Sequence, residues 1–482
     1  MSRKLGGGDD RISQLPEEVM GHIVSFLNMK EPVGTRVLSK KWISFWTNHL
    51  LQLQSLDFDI AHFNGRNQAL FMDYVDLVLR LRGPIDIEIF SLKYNIEFRS
   101  ENHQALQIFP RVCHWIRYAN ICNVKKLELH IQIGRQWRPV RFPAGVFSSC
   151  CSSIVELKLE NDFVFDVPPT LFPCLKVLHV YVRRPNINFF NRLINSSSPV
   201  LENLSINGRL LPFAFDIWGG YSFEIFVPTL RILRINLISS EEYFESCSNH
   251  LFIIHTPNLE FLTIQDEIFA SYEISEIPYL VEANVCIGPH SSYIINNGEI
   301  SEQEADRVMQ VLQGIRHARS VILWENITAA IGHAFDDYGP LPMFPTLHRL
   351  KLCIDNCYGW KLLPHFLSNS PNLEFLEMEK QPAAFNIEEE DEAGVVPYMD
   401  SYDWDEPEAA PSCLGQYLKE IKLASLWRSG DEEQAIRYLL GNSMVLEIMT
   451  INFSEDAVEG VLDEYMIEEF PRASHNCELI FE

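Results

Sequence analysis

One apolar phrase returns along the chain in the form Pro-x-Leu-x-x-Leu-x-(Ile/Val/Leu/Met). Complete copies lie at Pro173-Leu175-Leu178-Val180, Pro199-Leu201-Leu204-Ile206, Pro228-Leu230-Leu233-Ile235, Pro257-Leu259-Leu262-Ile264, Pro345-Leu347-Leu350-Leu352 and Pro371-Leu373-Leu376-Met378. Degenerate copies stand at Val124-Leu127-Leu129, Ile154-Leu157-Leu159, Pro278-Leu280-Ala283-Val285 and Val321-Leu323, and Leu418-Ile421-Leu423 repeats the phrase once more. Its last two apolar positions are two residues apart, the spacing at which side chains leave the same face of a strand. Each copy therefore predicts a short strand with alternate apolar side chains turned inward.

Leu175, Leu201, Leu230 and Leu259 follow at steps of 26, 29 and 29 residues, and Leu347 and Leu373 are 26 apart. These steps fall at the leucine-rich repeat spacing of about 20 to 29 residues, in which a loop or helix returns the chain so that neighbouring strands stack in parallel. One repeat cannot bury its own leucines. At roughly 1.5 to 3 kcal/mol for each fully buried Leu or Ile, only a stack of many offsets the ordering of the chain. The unequal steps, and Ala283 where a leucine is expected, predict an uneven, curved solenoid. At least one poor repeat is hidden between Leu280 and Leu347.

The residue between the two inward positions of each strand falls on the concave sheet face. Down the chain this column reads Glu128, Lys158, His179, Ser205, Arg234, Thr263, Asn284, Ile322, Lys351 and Glu377. Solvent-facing strand positions are polar by default. The excess of basic over acidic members, in an acidic chain, makes Lys158, His179, Arg234 and Lys351 the candidates for contact with a protein substrate.

Near the start the period changes to that of a helix. Val19, Met20, Ile23, Phe26 and Leu27 share one helical stripe behind Pro16, Glu17 and Glu18. Proline suits a first turn, where its missing N–H would be unpaired anyway, and the glutamates complement the positive end of the helix dipole. Two further short segments, around Val33 to Leu38 and Lys41 to Trp46, bring Val37, Leu38, Trp42, Phe45 and Trp46 together. Three short helices cannot enclose so much apolar bulk, so part of it needs a cover, from this chain or another.

Asp10-Arg11-Ile12-Ser13, Leu15-Pro16-Glu17-Glu18-Val19, His22-Ile23-Val24-Ser25-Phe26-Leu27 and Val37-Leu38-Ser39-Lys40-Lys41-Trp42 resemble the F-box. The resemblance implies a trihelical unit that packs on the Skp adaptor of a cullin ubiquitin ligase. Leu15, Pro16, Ile23, Leu27, Val37, Leu38 and Trp42 would then form or support the adaptor interface. Gly34 departs from the usual helix former there, at a cost of about 1 kcal/mol to the second helix.

Between Gln381 and Pro411 the chain turns acidic and proline-containing, with Glu388-Glu389-Glu390-Asp391-Glu392 and Asp400 through Glu408. Such a stretch repels itself and has little to bury, which predicts a disordered insertion. After it, Asp431-Glu432-Glu433 precede a helical run containing Ala435, Ile436, Tyr438, Leu439 and Leu440, and Val445 to Ile451 reads as a helix end plus a strand. Cys413-Leu414, Leu418-Lys419, Tyr438-Leu439-Leu440, Val445-Leu446-Glu447-Ile448-Met449 and Phe470-Pro471-Arg472-Ala473-Ser474 resemble the FBD domain of plant F-box proteins.

Bulk properties narrow the function classes. The 482 residues, 47% hydrophobic and 22% charged with mean hydropathy -0.04, predict two or three folded units with no surplus for a bilayer. A formal charge of -26 opposes nucleic acid and anionic membranes as partners. Eleven scattered cysteines, with no signal-peptide core in Met1 to Asp10, predict reduced thiols in cytoplasm or nucleus. No P-loop, GxSxG elbow, HExxH or Rossmann fingerprint is present, so no catalysis and no cofactor are expected. Cys353, Cys357 and His348 lack the paired spacing of a zinc site, Cys150-Cys151 is a lone pair, and the acidic stretch lacks EF-hand spacing.

The expectation is an α/β chain. Residues 1–9 form a flexible start, 10–55 the trihelical F-box, 56–380 an irregular leucine-rich repeat solenoid, 381–411 the acidic insertion, and 412–482 an FBD region continuing or capping the solenoid. The resemblance implies the substrate-recognition subunit of a ubiquitin ligase, with the Skp adaptor, a cullin through it, and a protein substrate as partners. The alternatives are a non-degradative scaffold and a small-molecule sensor with a pocket in the repeats.

Overall fold

The computed structural model describes residues 14–25, 51–63, 68–96, 104–133, 140–143, 145–147, 151–161, 163–168, 171–195, 199–210, 220–238, 249–288, 302–338, 340–354, 359–380, 409–455 and 462–482, with Lys41, Ser44, Phe45, Asn48, Pro407 and Ala457 as single positions. They divide into two units, Met1–Leu201 and Glu202–Glu482.

The first unit contains α1 (Glu17–Ser25), β1 (Ser55–Asp59), α2 (Gln68–Arg82), β2 (Ile89–Ile96), α3 (Gln104–Ile121), β3 (Lys126–Ile133), β4 (Val140–Arg141), β5 (Glu156–Glu160), β6 (Phe163–Val164), β7 (Val177–Val182) and α4 (Ile187–Asn195). Strands β1, β2, β3, β5 and β7 pair in that order, all parallel, and β4 pairs with β6. The strand array thus starts two strands before the first copy of the leucine phrase. In β1 and β2 the inward positions are Leu56 and Phe58, then Phe90, Leu92 and Tyr94, all buried, so aromatics replace the leucines that mark later repeats. Larger rings match longer return helices. Phe71 of α2 meets the ring of Tyr94 at 5.8 Å and that of Trp115 at 6.1 Å. Trp115 of α3 donates its indole N–H to Asp76 at 2.7 Å. The C-terminus of α2 is fixed by Arg82, 1% exposed, whose guanidinium donates to the carbonyls of Ile85, Leu53 and Asp86.

The second unit contains β8 (Asn203–Gly208), β9 (Ser222–Phe226), β10 (Ile232–Leu237), β11 (Leu251–His255), β12 (Phe261–Asp266), β13 (Ser271–Ile274), β14 (Glu282–Ile287), α5 (Glu302–Gly314), β15 (Ser320–Leu323), α6 (Glu325–Tyr338), β16 (Arg349–Ile354), α7 (Gly359–Asn369), β17 (Phe375–Lys380), α8 (Ser412–Gln416), β18 (Glu420–Leu426), α9 (Gly430–Asn442), β19 (Ile448–Phe453), α10 (Glu464–Glu468) and β20 (Glu478–Phe481). Its main sheet runs β8, β10, β12, β14, β15, β16, β17, β18, β19, β20, parallel throughout. Leu204, Leu233, Leu262, Ala283, Val321, Leu350, Leu376, Ile421, Met449 and Leu479 stand side by side across it. The interval after Leu280 contains β15, flanked by α5 and α6. The FBD-like strands β18 to β20 continue the solenoid in the same register. Residues 381–406, most of the expected acidic insertion, lie outside the described residues.

The phrase has a physical basis in its first three residues. In Val227–Leu230, Thr256–Leu259 and Ser370–Leu373 the leucine N–H donates to the carbonyl three residues back, at 3.2, 3.0 and 3.2 Å, with proline second in the turn. Proline presets the backbone angle that position needs. The residue after proline then reaches the previous repeat: Asn258 donates its amide to the Pro228 carbonyl and Asn372 to that of Pro345, each at 2.7 Å. The leucine drops into the core, where Leu201, Leu230, Leu259, Leu347 and Leu373 are fully buried.

A second sheet, β9, β11 and β13, lies on the return path and was not marked by the phrase. Phe223, Phe252 and Tyr272 stack through it at 4.5 and 5.3 Å. Beside them His250, 2% exposed, stacks on Tyr221 at 5.2 Å and accepts the Tyr221 backbone N–H on Nδ1 at 3.0 Å. Burial pulls its imidazole down to about 4 from the ordinary 6.5. The folded state therefore holds the neutral ring: its contribution is complete above pH 6.5 and is lost as the pH falls toward 4. At 1.36 kcal/mol per pH unit, the full loss is about 3 kcal/mol. Asp266 runs the other way. Burial lifts its carboxyl to about 6 despite hydrogen bonds from Ile268, Tyr272 and Ala270, so acidification favours the fold there. We expect His250→Gln to lose less stability than wild type between pH 7 and pH 5 in urea unfolding. Equal acid losses in the two proteins would remove His250 from this account.

Candidate functional site

Some of the residues singled out from the sequence lie in the N-terminal head. Leu15 is half-buried and Pro16 exposed at the start of α1, where the Pro16 carbonyl accepts the Met20 N–H at 3.0 Å. The Leu15 carbonyl accepts the Lys41 ammonium at 2.7 Å, which ties the head of α1 to a position 26 residues on. Along α1 the side chains divide: Met20 is fully buried, whereas Val19 is 42% exposed and Glu17, Glu18 and His22 are exposed. An apolar residue thus lies open beside Pro16. Ile23 belongs to α1, but its side chain lies outside the described residues, as do Leu27, Val37, Leu38 and Trp42 altogether.

The other residues lie on the open strand face of each unit, formed by the positions that alternate with the buried leucines. In the first unit Glu128, Lys158 and His179 are neighbours in register. In the second, Ser205, Arg234, Thr263, Asn284, Ile322, Lys351 and Glu377 are neighbours, and Lys422 and Thr450 extend the row.

The row is less cationic than its composition. Lys158 is paired with Glu160, which also meets His130. Burial of the Glu160 carboxylate would raise it, yet Lys158 and His130 together hold it below its ordinary value. Lys126 lies between Glu128 and Glu156, at 3.1 and 2.9 Å. Lys351 lies between Glu377 and Glu379, at 3.0 and 2.7 Å. Burial pulls that ammonium down, and the hydrogen bonds to Glu379 and Glu377 outweigh it and hold it well above its ordinary value. Arg234 differs. It is exposed, and its one described contact is a 3.5 Å approach to the Asn203 side chain.

Aromatic residues also occur on this face outside the polar column, among them Phe261 and Trp324. Phe261 opens β12 and is 39% exposed. Trp324, just past β15, is half-buried and donates its indole N–H to Asn284 at 2.8 Å. Their signal in the sequence was an aromatic at a position where alternation with the buried leucines calls for a polar one.

No group of three or more His, Cys, Asp or Glu arranged to hold a metal occurs among the described residues. Cys353 is buried, and burial pushes its thiol up to about 12, which opposes the thiolate a metal requires. No described helix is long and apolar enough to cross a membrane.

The F-box domain family matches residues 12–53. An F-box/LRR-repeat protein of Arabidopsis thaliana is 28% identical over 477 residues, covering 95% of this chain and 91% of its own length. An FBD-associated F-box protein of the same plant is 24% identical, covering 98% and 94%. An F-box/FBD/LRR-repeat protein, also from Arabidopsis thaliana, is 24% identical and covers 98% and 100%.

Proposed function

We propose that the chain, a member of the plant F-box/FBD/leucine-rich repeat family, is the substrate-recognition subunit of a Skp-cullin-F-box ubiquitin ligase. Proteins with an F-box typically serve as such adaptors, and the observation that carries the reading here is the F-box match at residues 12–53. Around Leu15, the exposure of Pro16 and Val19 supports it, since both are apolar and reach solvent. The Skp adaptor covers them in the complex, with Ile23, Leu27, Val37, Leu38 and Trp42 completing or supporting the contact. The open strand faces, carrying Lys158 and His179 in the first unit and Arg234 and Lys351 in the second, receive the protein substrate.

The subunit does no bond chemistry. It works by holding the substrate near the ubiquitin-charged enzyme, so that transfer proceeds at a raised effective concentration. It acts in cytoplasm or nucleus, where its thiols stay reduced.

The test is reconstitution. Purified full chain, Skp adaptor and cullin are expected to elute as one complex whose formation requires the chain's F-box. Failure of the full chain to join adaptor and cullin removes the ligase reading. A complex that forms in the plant while no protein accumulates on loss of the chain favours a scaffold instead.

A further inference from the structure

We infer that the middle of the second unit's open face is a docking site for an extended acidic peptide with an apolar anchor, in which Arg234 takes a carboxylate, Ile322 and Trp324 take the apolar side chain, and Phe261 on β12 flanks the chain between them. The inference rests on the substrate-capture reading and specifies the chemistry of what is captured.

Arg234, Thr263, Asn284 and Ile322 occupy one row across β10, β12, β14 and β15. The first three bring hydrogen-bond donors to the surface. The Arg234 guanidinium is in no ion pair among the described residues, unlike Lys351 on the same face. The Asn284 carbonyl oxygen is held by the Trp324 indole, which fixes the amide plane and leaves its N–H groups to donate outward. Ile322 ends the row and Trp324 lies past it, while Phe261 lies one inter-strand step from Arg234's own strand.

This composition is that of a binding centre. Tryptophan, tyrosine and arginine dominate measured interface hot spots, and the cores of interfaces are depleted of other charge. A guanidinium with no carboxylate of its own is complementary to one from a partner, and its fork favours bidentate contact. Glu282, beside Phe261 in register, repels a second carboxylate from β14. The partner's acid is thereby placed over β10 and its apolar residue over β15. Strands lie about 4.8 Å apart, so three steps span roughly 14 Å. An extended chain covers that in about four residues. The expected ligand therefore has Asp or Glu about four positions from Leu, Ile or Phe.

A phage-displayed library of random dodecapeptides, selected on the purified full chain, reads this directly. Enriched sequences should share the acid and the apolar residue at that spacing, and fluorescence polarisation of labelled copies should give their affinities. Phe261→Ser and Trp324→Ala should each weaken binding at least tenfold. Arg234→Glu should weaken acidic peptides at least tenfold and restore binding of copies carrying Lys in place of the acid. Lys125→Glu, on an exposed position away from the row, should change nothing. Thermal unfolding midpoints accompany each variant. If Trp324→Ala unfolds, the surface substitutions Phe261→Ser and Arg234→Glu carry the test. No enrichment, enrichment of basic peptides, or binding indifferent to Phe261 and Arg234 overturns the inference. No adaptor is present in this assay, so a chain that binds such peptides but never joins adaptor and cullin sinks the ligase reading alone, and the converse result sinks the docking site alone.

Discussion

Replacing Leu15 and Pro16 together by alanine is expected to abolish capture of the Skp adaptor while the chain stays folded. The free chain leaves Pro16 exposed and Leu15 half-buried, so little of its own packing depends on either side chain. In the complex both are to be covered. At roughly 1.5 to 3 kcal/mol for an apolar side chain of this size, losing the two amounts to about 3 to 6 kcal/mol. With 1.4 kcal/mol for each factor of ten, affinity should fall roughly a hundredfold to ten-thousandfold. Adaptor binding by calorimetry, with circular dichroism and thermal unfolding as folding controls, measures both halves of the statement. An affinity within threefold of wild type would show that the adaptor sits elsewhere.

The largest loss of stability is expected at Glu432. Its carboxylate is fully buried and lies 2.8 Å from the Lys380 ammonium, itself 8% exposed. It also accepts the backbone N–H groups of Trp427 and Ser429 at 3.0 Å, the latter as half of a capping box at the start of α9. Glu432→Ala removes that half of the capping box and leaves the Lys380 charge buried without its partner. Breaking a buried pair from one side costs about 3 to 5 kcal/mol, and replacing both partners by apolar residues costs far less. Urea unfolding should therefore show a large loss for Glu432→Ala and a much smaller one for Lys380→Met combined with Glu432→Leu. A loss below about 1 kcal/mol for the single change, the range of exposed ion pairs, would mean that water reaches the pair.

The same residue shows where sequence reasoning stops. Asp431-Glu432-Glu433 announced a helix start, and α9 begins there, because an acidic first turn is a local signal. That Glu432 is buried against a lysine 52 residues earlier is not local. The repeat phrase succeeded for the opposite reason. Its leucines are required wherever neighbouring strands share a core, so the strands β3, β5, β7, β8, β10, β12 and β14 to β18, and their register within each unit, could be read from the spacing of the phrase alone. The first two strands escaped because Phe58, Phe90 and Tyr94 fill the inward positions. The β9, β11, β13 sheet escaped because its alternation follows no proline. For the open face, the column was legible, but its charge was not. Glu377 and Glu379 are a full repeat beyond Lys351, and only the parallel register brings them beside it.

The asparagine grips between successive turns have a mechanical corollary. Asn258 and Asn372 each close on a carbonyl belonging to the preceding step, so a rung carries hydrogen bonds that its neighbour must stay folded to satisfy. Deleting a whole rung, from one asparagine to the next, preserves every such clasp, while deleting half of one leaves an asparagine amide without its carbonyl. Lineages that lengthen or shorten this array should do so in complete steps.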